Sequence, residues 1–217
     1  MSLGVWMPDP DYGVYHHSSR EDSEKLRVLA RVMFVEAFRK IGMDEDASIR
    51  IVDIGCGLGF LTVLCATYFK NARITAIDTF SDPSIADNSK EKLMENLKIA
   101  GVSDRVAIVE ADITKSIRVD DKFDLAVSNL VLHNTGRHRF DVYRNVWNIL
   151  RCGSYFIDAD GFIRKGISSI LVDPFRRDMS KISNIFEPEF AMEPRDQKKN
   201  AAWRYILVGL RSKCSDV

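Results

Sequence analysis

The segment from Ile51 to Phe60 reads Ile-Val-Asp-Ile-Gly-Cys-Gly-Leu-Gly-Phe, a short apolar run that breaks into three alternating glycines. Leu61, Leu64, Cys65, Tyr68 and Phe69 follow at helical spacing, so the segment predicts strand, tight loop and helix in succession. Such a turn often needs a positive φ, and a side chain there would hold a ligand away from the backbone. In open α/β sheets, ligands sit beyond the carboxyl ends of the strands at the switch point, which is where this loop falls.

The alternation continues along the chain. Arg73 to Asp78, Val106 to Glu110, Phe123 to Ser128 and Ser154 to Asp158 read as strands, with helical patterns between them. Leu26, Leu29, Met33, Ala37 and Ile41 mark a first helix closed by Gly42. Asp82 as N-cap and Pro83 at the first helical position predict the start of the helix that carries Leu93, Leu97 and Ala100. Phe140, Tyr143, Trp147 and Leu150 predict another, stopped by Gly153. Asp173 and Pro174 start a further helix. Glu189 to Met192 and Trp203 to Leu210 then read as a hairpin joined by the polar stretch from Arg195 to Asn200. Strands alternating with helices imply βαβ units and a parallel sheet covered on both faces. The expected fold is α/β: a doubly wound, mostly parallel seven-stranded sheet with a C-terminal antiparallel hairpin. Residues 1–22 read as an irregular arm and residues 23–217 as a single domain.

Composition removes several function classes. With 31 basic and 31 acidic side chains among 217 residues, the chain lacks the global positive charge of a protein held by phosphate backbones. Its apolar runs fall far short of the ~20 residues that span a bilayer. The opening MSLGVWMPDPD has neither the basic nor the apolar region of a secretory signal, so a cytoplasmic protein is expected. Cys56, Cys65, Cys152 and Cys214 show no C-x-x-C spacing, and four reduced thiols are the expectation.

The glycine spacing discriminates between cofactors. A dinucleotide fingerprint needs a small third residue at position 60, where this chain has Phe60. Asp53-Ile-Gly55-Cys-Gly57-Leu-Gly59 instead resembles the glycine motif of the class I S-adenosylmethionine-dependent methyltransferases. Further positions match that family in order. The resemblance implies that Asp78 grips both ribose hydroxyls, for which an acceptor-only carboxylate is apt. It implies that Asp112 accepts from the adenine amino group, and that Ile113 lends a backbone N–H and an apolar face. It also places Asn129, after the fourth strand, beneath the reactive methyl. The turn from Asp78 to Pro83 is longer than in many relatives; Phe80 either covers the adenine edge or anchors the next helix.

The acceptor is less constrained. Relatives that methylate exocyclic amines or glutamine amides carry an Asn/Asp-Pro-Pro-aromatic turn. This chain has Asn129-Leu-Val-Leu, closer to the small-molecule group that includes quinone-biosynthesis enzymes. His133 follows either as a general base or as a histidine bonded to backbone. Tyr12, Tyr15 and His16 belong either to a lid over the cofactor or to a loose terminus. Residues 161–217 hold eleven Lys/Arg against seven Asp/Glu, the bias of a solvated face, so nucleic acid is not expected as a partner. The expected activity is methyl transfer to a small molecule, with no metal and no membrane partner. RNA or protein methylation and a non-catalytic S-adenosylmethionine-binding module are the alternatives.

Overall fold

The computed structural model describes residues 9–119, 122–163, 174–195 and 203–214. Five strands run parallel: β1 (Arg50–Ile54), β2 (Arg73–Asp78), β3 (Val106–Glu110), β4 (Phe123–Asn129) and β5 (Leu150–Ile163). β6 (Phe186–Met192) and β7 (Trp203–Ser212) complete a seven-stranded sheet in the order β3-β2-β1-β4-β5-β7-β6, with β7 antiparallel to both neighbours. The expected architecture is the one found.

Helices α1 (Arg20–Lys40), α2 (Phe60–Tyr68) and α3 (Lys90–Ile99) cover one face; α4 (Arg139–Ile149) and α5 (Pro174–Ile182) cover the other. Successive side chains of β1 and β4 therefore enter different cores. Ile51, Leu125 and Val127 meet Phe34, Phe38 and Phe69, while Val52, Ile54 and Ala126 meet Val142, Tyr143 and Phe156. Burial on both faces explains why these strands read as continuous apolar runs. Each fully buried Phe side chain contributes about 1.5–3 kcal/mol from area alone.

Four local expectations differ from the structure. Asp82 does not cap α3: its carboxylate accepts from Ser84 N at 2.8 Å, and Ile85 pairs with Tyr15 in an isolated bridge. Ser89 is the cap, accepting from Lys92 N at 3.2 Å. An Asx turn offers the backbone an alternative to helix, and here it wins. Gly153 does not stop α4, which ends at Ile149. It lies within β5 at φ +76, where the pairing with β4 jumps from Leu150 opposite Phe123 to Tyr155 opposite Leu125. The buried face of α1 includes Arg27 rather than Leu26. Lastly, Cys152 and Cys214 form a disulfide with Cα atoms 4.7 Å apart, while Cys56 and Cys65 are buried free thiols. The β5–β7 register, with Tyr155 opposite Arg211, brings those distant cysteines face to face. Asp173 and most of the polar stretch expected to join β6 to β7 lie outside the described residues.

Among the described residues, no helix is long and apolar enough to cross a membrane.

Candidate active site

A cavity of about 700 Å³ opens at the carboxyl ends of the parallel strands. Gly55 and Gly57 floor it after β1, Asp78 stands at the end of β2, and Asp112 and Ile113 follow β3. Asn129 and His133 border it after β4, and Tyr15 and His16 reach it from the arm. Parallel topology alone brings these separated segments together, because every strand delivers its last residue to the same edge.

The glycine loop is close-packed. Gly55, Gly57 and Gly59 have φ of +70, +50 and +91. A Cβ on Gly57 would lie 2.8 Å from Ile85, and one on Gly55 would strike Val131. Gly59 differs: a Cβ there would meet Leu93 of α3 at 2.5 Å, and the residue does not line the cavity. Its place is in helix packing.

Asp78, 9% exposed, ties the loop together. One carboxylate oxygen accepts from Gly57 N at 2.8 Å; the other accepts from Phe80 N at 2.7 Å and from Asn88 Nδ2 at 3.3 Å. Asn88 also lines the cavity, and its side-chain carbonyl is buried without a hydrogen-bond partner. Phe80 packs against the core on the α1–α3 face, the anchoring alternative of the two open for it. Asp112 accepts from Thr114 N at 2.9 Å and Thr114 Oγ1 at 2.6 Å, bonds that hold its pKa below the usual carboxylate value. The Ile113 carbonyl is held by Asn145.

Asp53 lies behind the loop, on a smaller cleft of about 30 Å³ shared with Tyr12, Tyr15 and Asn129. One of its oxygens accepts from Thr62 Oγ1 at 2.5 Å and the other is buried without a partner. Burial, opposed by the Thr62 bond and reinforced by the charge of Asp78, pushes its pKa up to about 7.

The arm is pinned by one buried cation. Arg27, 3% exposed, donates to the carbonyls of Tyr12 at 2.8 Å and Gly13 at 2.6 Å, and its guanidinium lies 4.8 Å from the Tyr15 ring centre. Asn96 of α3 holds Asp11 through both N–H and C=O, and His16 N donates to Ser84 O. Tyr12 packs edge-on against Phe60 and faces the smaller cleft only. Asn129 receives a 2.6 Å hydrogen bond from the Tyr205 hydroxyl and makes a long 3.5 Å one to Tyr15.

His133 sits on a 3-10 segment, Leu132–His138. Its Nδ1 lies 2.5 Å from one oxygen of Asp160, and its backbone N–H donates to the other at 2.8 Å. One β5 carboxylate thus fixes both ring and main chain, which leaves Nε2 as the free ring nitrogen. Burial pulls the imidazole pKa down and Arg139 adds to that pull. The hydrogen bond and charge of Asp160 outweigh both, so the pKa is raised. The ring also meets Trp203 edge-on, with centres 6.3 Å apart.

Sequence reasoning did not find Arg27, Asn88, Arg139, Asp160, Trp203 or Tyr205. The alternation Asp158-Ala-Asp160 was the available signal, because acidic residues two apart on a buried strand share one face and need partners.

The sequence model of a family described as a methyltransferase domain matches residues 52–156. The malonyl-(acyl-carrier protein) O-methyltransferase of Priestia megaterium is 36% identical over 84 residues, covering 39% of this chain and 27% of that protein. The release factor glutamine methyltransferase of Chlorobaculum tepidum is 33% identical over 98 residues, covering 44% and 31%. The chain therefore spans about a third or less of the length of these curated relatives. Among solved structures, the StiE O-MT matches with a TM-score of 0.65 over 90% of this chain and 78% of that one, at 16% identity, a likeness of fold.

Proposed function

We propose that this chain, which belongs to the class I S-adenosylmethionine-dependent methyltransferase family, transfers a methyl group to a small-molecule acceptor from which His133 removes a proton. The cofactor, when bound, supplies a methyl group activated on a positively charged sulfur. The residues present fit it. Gly55 and Gly57 keep the loop backbone bare where it faces the cavity. Asp78 already takes three N–H donors, so it has room for one ribose hydroxyl, and the unpaired carbonyl of Asn88 beside it suits the second. Asp112 would accept from the adenine amino group beside Ile113. Asp53, Asn129 and Tyr15, which share the smaller cleft, would hold the cofactor's ammonium end.

A single observation carries the catalytic reading: His133, held from behind by the buried Asp160, lines the same cavity as the glycine loop and Asp78. Asp160 holds the Nδ1–H tautomer, so Nε2 is the atom that takes the acceptor's proton. A base in this position also narrows the acceptor. A carboxylic acid is already ionised at neutral pH and needs no base, so the group methylated is a hydroxyl, a thiol, an amine or an acidic carbon. Trp203 offers an aromatic wall beside the imidazole.

The arm, with Tyr15 and His16 against the cavity and Tyr12 beneath, acts as the lid; S-adenosylhomocysteine should slow amide exchange across residues 9–18. The cytoplasm is the proposed location; a bridge like Cys152–Cys214 is rare there, so thiol counting on freshly lysed cells tests it, four free thiols supporting the cytoplasm and two arguing against it.

The deciding experiment follows a radiolabelled methyl group from the cofactor into fractions of a cell extract. Label in small molecules, lost with His133→Ala, supports the proposal. Label in protein or RNA replaces it with the macromolecular alternative, and binding without transfer replaces it with a cofactor-binding module.

A further inference from the structure

Arg139 opens α4 a short distance beyond His133, and its side chain is only 14% exposed. Its Nη2 lies 3.8 Å from the Asp160 oxygen that accepts from the backbone of His133. Nη1 lies 3.4 Å from Asp178 of α5, and the guanidinium sits 4.4 Å over the Phe162 ring. Nε and Nη2 are buried and make no hydrogen bond. The cation is therefore held by one hydrogen bond from Nη1 to Asp178, by charge and by an aromatic face, at a distance from Asp160 too long for a hydrogen bond.

We propose that Arg139 is a positioning residue of this site: through Asp160 it sets how tightly His133 holds a proton, while Asp178 and Phe162 fix its distance. The inference rests on the reading of His133 as the base. A buried carboxylate beside an imidazole strengthens its hold on a proton. A guanidinium sharing that carboxylate opposes part of the effect, so the imidazole gives up its proton more readily than it would beside Asp160 alone. The charged groups around His133 are Asp160 and Asp158 from β5 and Arg139 from α4, with Asp178 of α5 behind Arg139. Trp203 from β7 adds a ring without charge, and His16 and His17 from the arm line the same cavity. Asp158 accepts from the Tyr143 hydroxyl at 2.6 Å, and burial beside Asp160 pushes its pKa up to about 7, so it titrates in the range of an imidazole. Among these groups Arg139 is the one fixed cation, and its loss shifts the balance toward the imidazolium.

The test is a titration of the His133 ring resonance by NMR on the full chain saturated with S-adenosylhomocysteine, the signal assigned by its absence in His133→Gln. Arg139→Gln should raise the midpoint by about half to one pH unit. Arg139→Lys, which keeps the charge, should restore it. If the Gln variant does not fold, Arg139→Met retains the contact with Phe162 and carries the same expectation. A role in packing alone would leave the midpoint unchanged in any folded variant, and that result overturns the assignment of Arg139 without touching the base reading. Once an acceptor is in hand, the acid limb of the pH–rate profile should follow the NMR midpoint. A midpoint that moves while the acid limb stays removes His133 as base, and this role of Arg139 with it.

Discussion

Replacing Asp78 by asparagine separates its structural and binding duties. The two backbone donors on Asp78, Gly57 N and Phe80 N, reach different carboxylate oxygens at 2.8 and 2.7 Å. An amide has one oxygen, so the substituted side chain must aim its NH₂ at one of those N–H groups. Because the site is 9% exposed, water offers little relief, and one unsatisfied buried donor costs about 1–3 kcal/mol. The urea midpoint should fall accordingly. Loss of the charged acceptor for the ribose costs roughly a further 1.5–3 kcal/mol, or one to two decades in the dissociation constant of S-adenosylhomocysteine by calorimetry. Asn88→Ala is the companion variant. It removes the neighbouring acceptor and the 3.3 Å side-chain donor to Asp78 but neither backbone bond, so affinity should drop while the urea midpoint falls less than in Asp78→Asn. If Asp78→Asn keeps both its midpoint and its affinity, the loop is not held as described and Asp78 leaves the binding site.

Three further outcomes follow from the geometry. His133→Ala should lower turnover about 10²-fold or more while leaving S-adenosylhomocysteine affinity within error; loss of affinity instead would place His133 against the cofactor. Asp53, with a folded pKa near 7 against about 4 unfolded, binds its proton more tightly in the folded state, so stability falls as pH rises from about 4 to 7 and is flat above. Asp53→Asn should flatten that slope in urea titrations, and an unchanged slope refutes it. Reducing Cys152–Cys214, 62 residues apart, should cost roughly 4 kcal/mol by the loop-closure estimate and lower the melting temperature by about 8–16 °C. Identical melting with and without reductant would show the bridge does not form in solution.

The parts of this protein that were legible in its sequence are those encoded within a few residues. Strand runs, the three glycines and the acids ending β2 and following β3 carry their own local reasons, and the class of sheet they build, mostly parallel with a C-terminal hairpin, follows from them. What was not legible depends on partners far along the chain. Arg27 looks like a solvated helix residue until the Tyr12 and Gly13 carbonyls fold back onto it. Asp160 meets His133 across 27 residues, and Tyr205 meets Asn129 across 76, through pairings that no local period reveals. The helix expected at Pro83 failed for a different reason: Asp82 and Ile85 are used by a turn and by the arm, so valid start signals were already committed elsewhere.

The placement of β7 also bears on how the chain reaches its folded state. During synthesis the strands emerge in order, but β7 pairs between β5 and β6, which are both made before it. Until β7 arrives, the outer edge of the fourteen-residue β5 has no strand beside it and β6 has no place in the sheet. A long unpaired edge is a template for pairing with other chains. The nascent polypeptide therefore passes through a sticky stage that ends only when Trp203 to Ser212 slot in. Ribosome stalling or truncation before that point should yield aggregates rather than a smaller working enzyme.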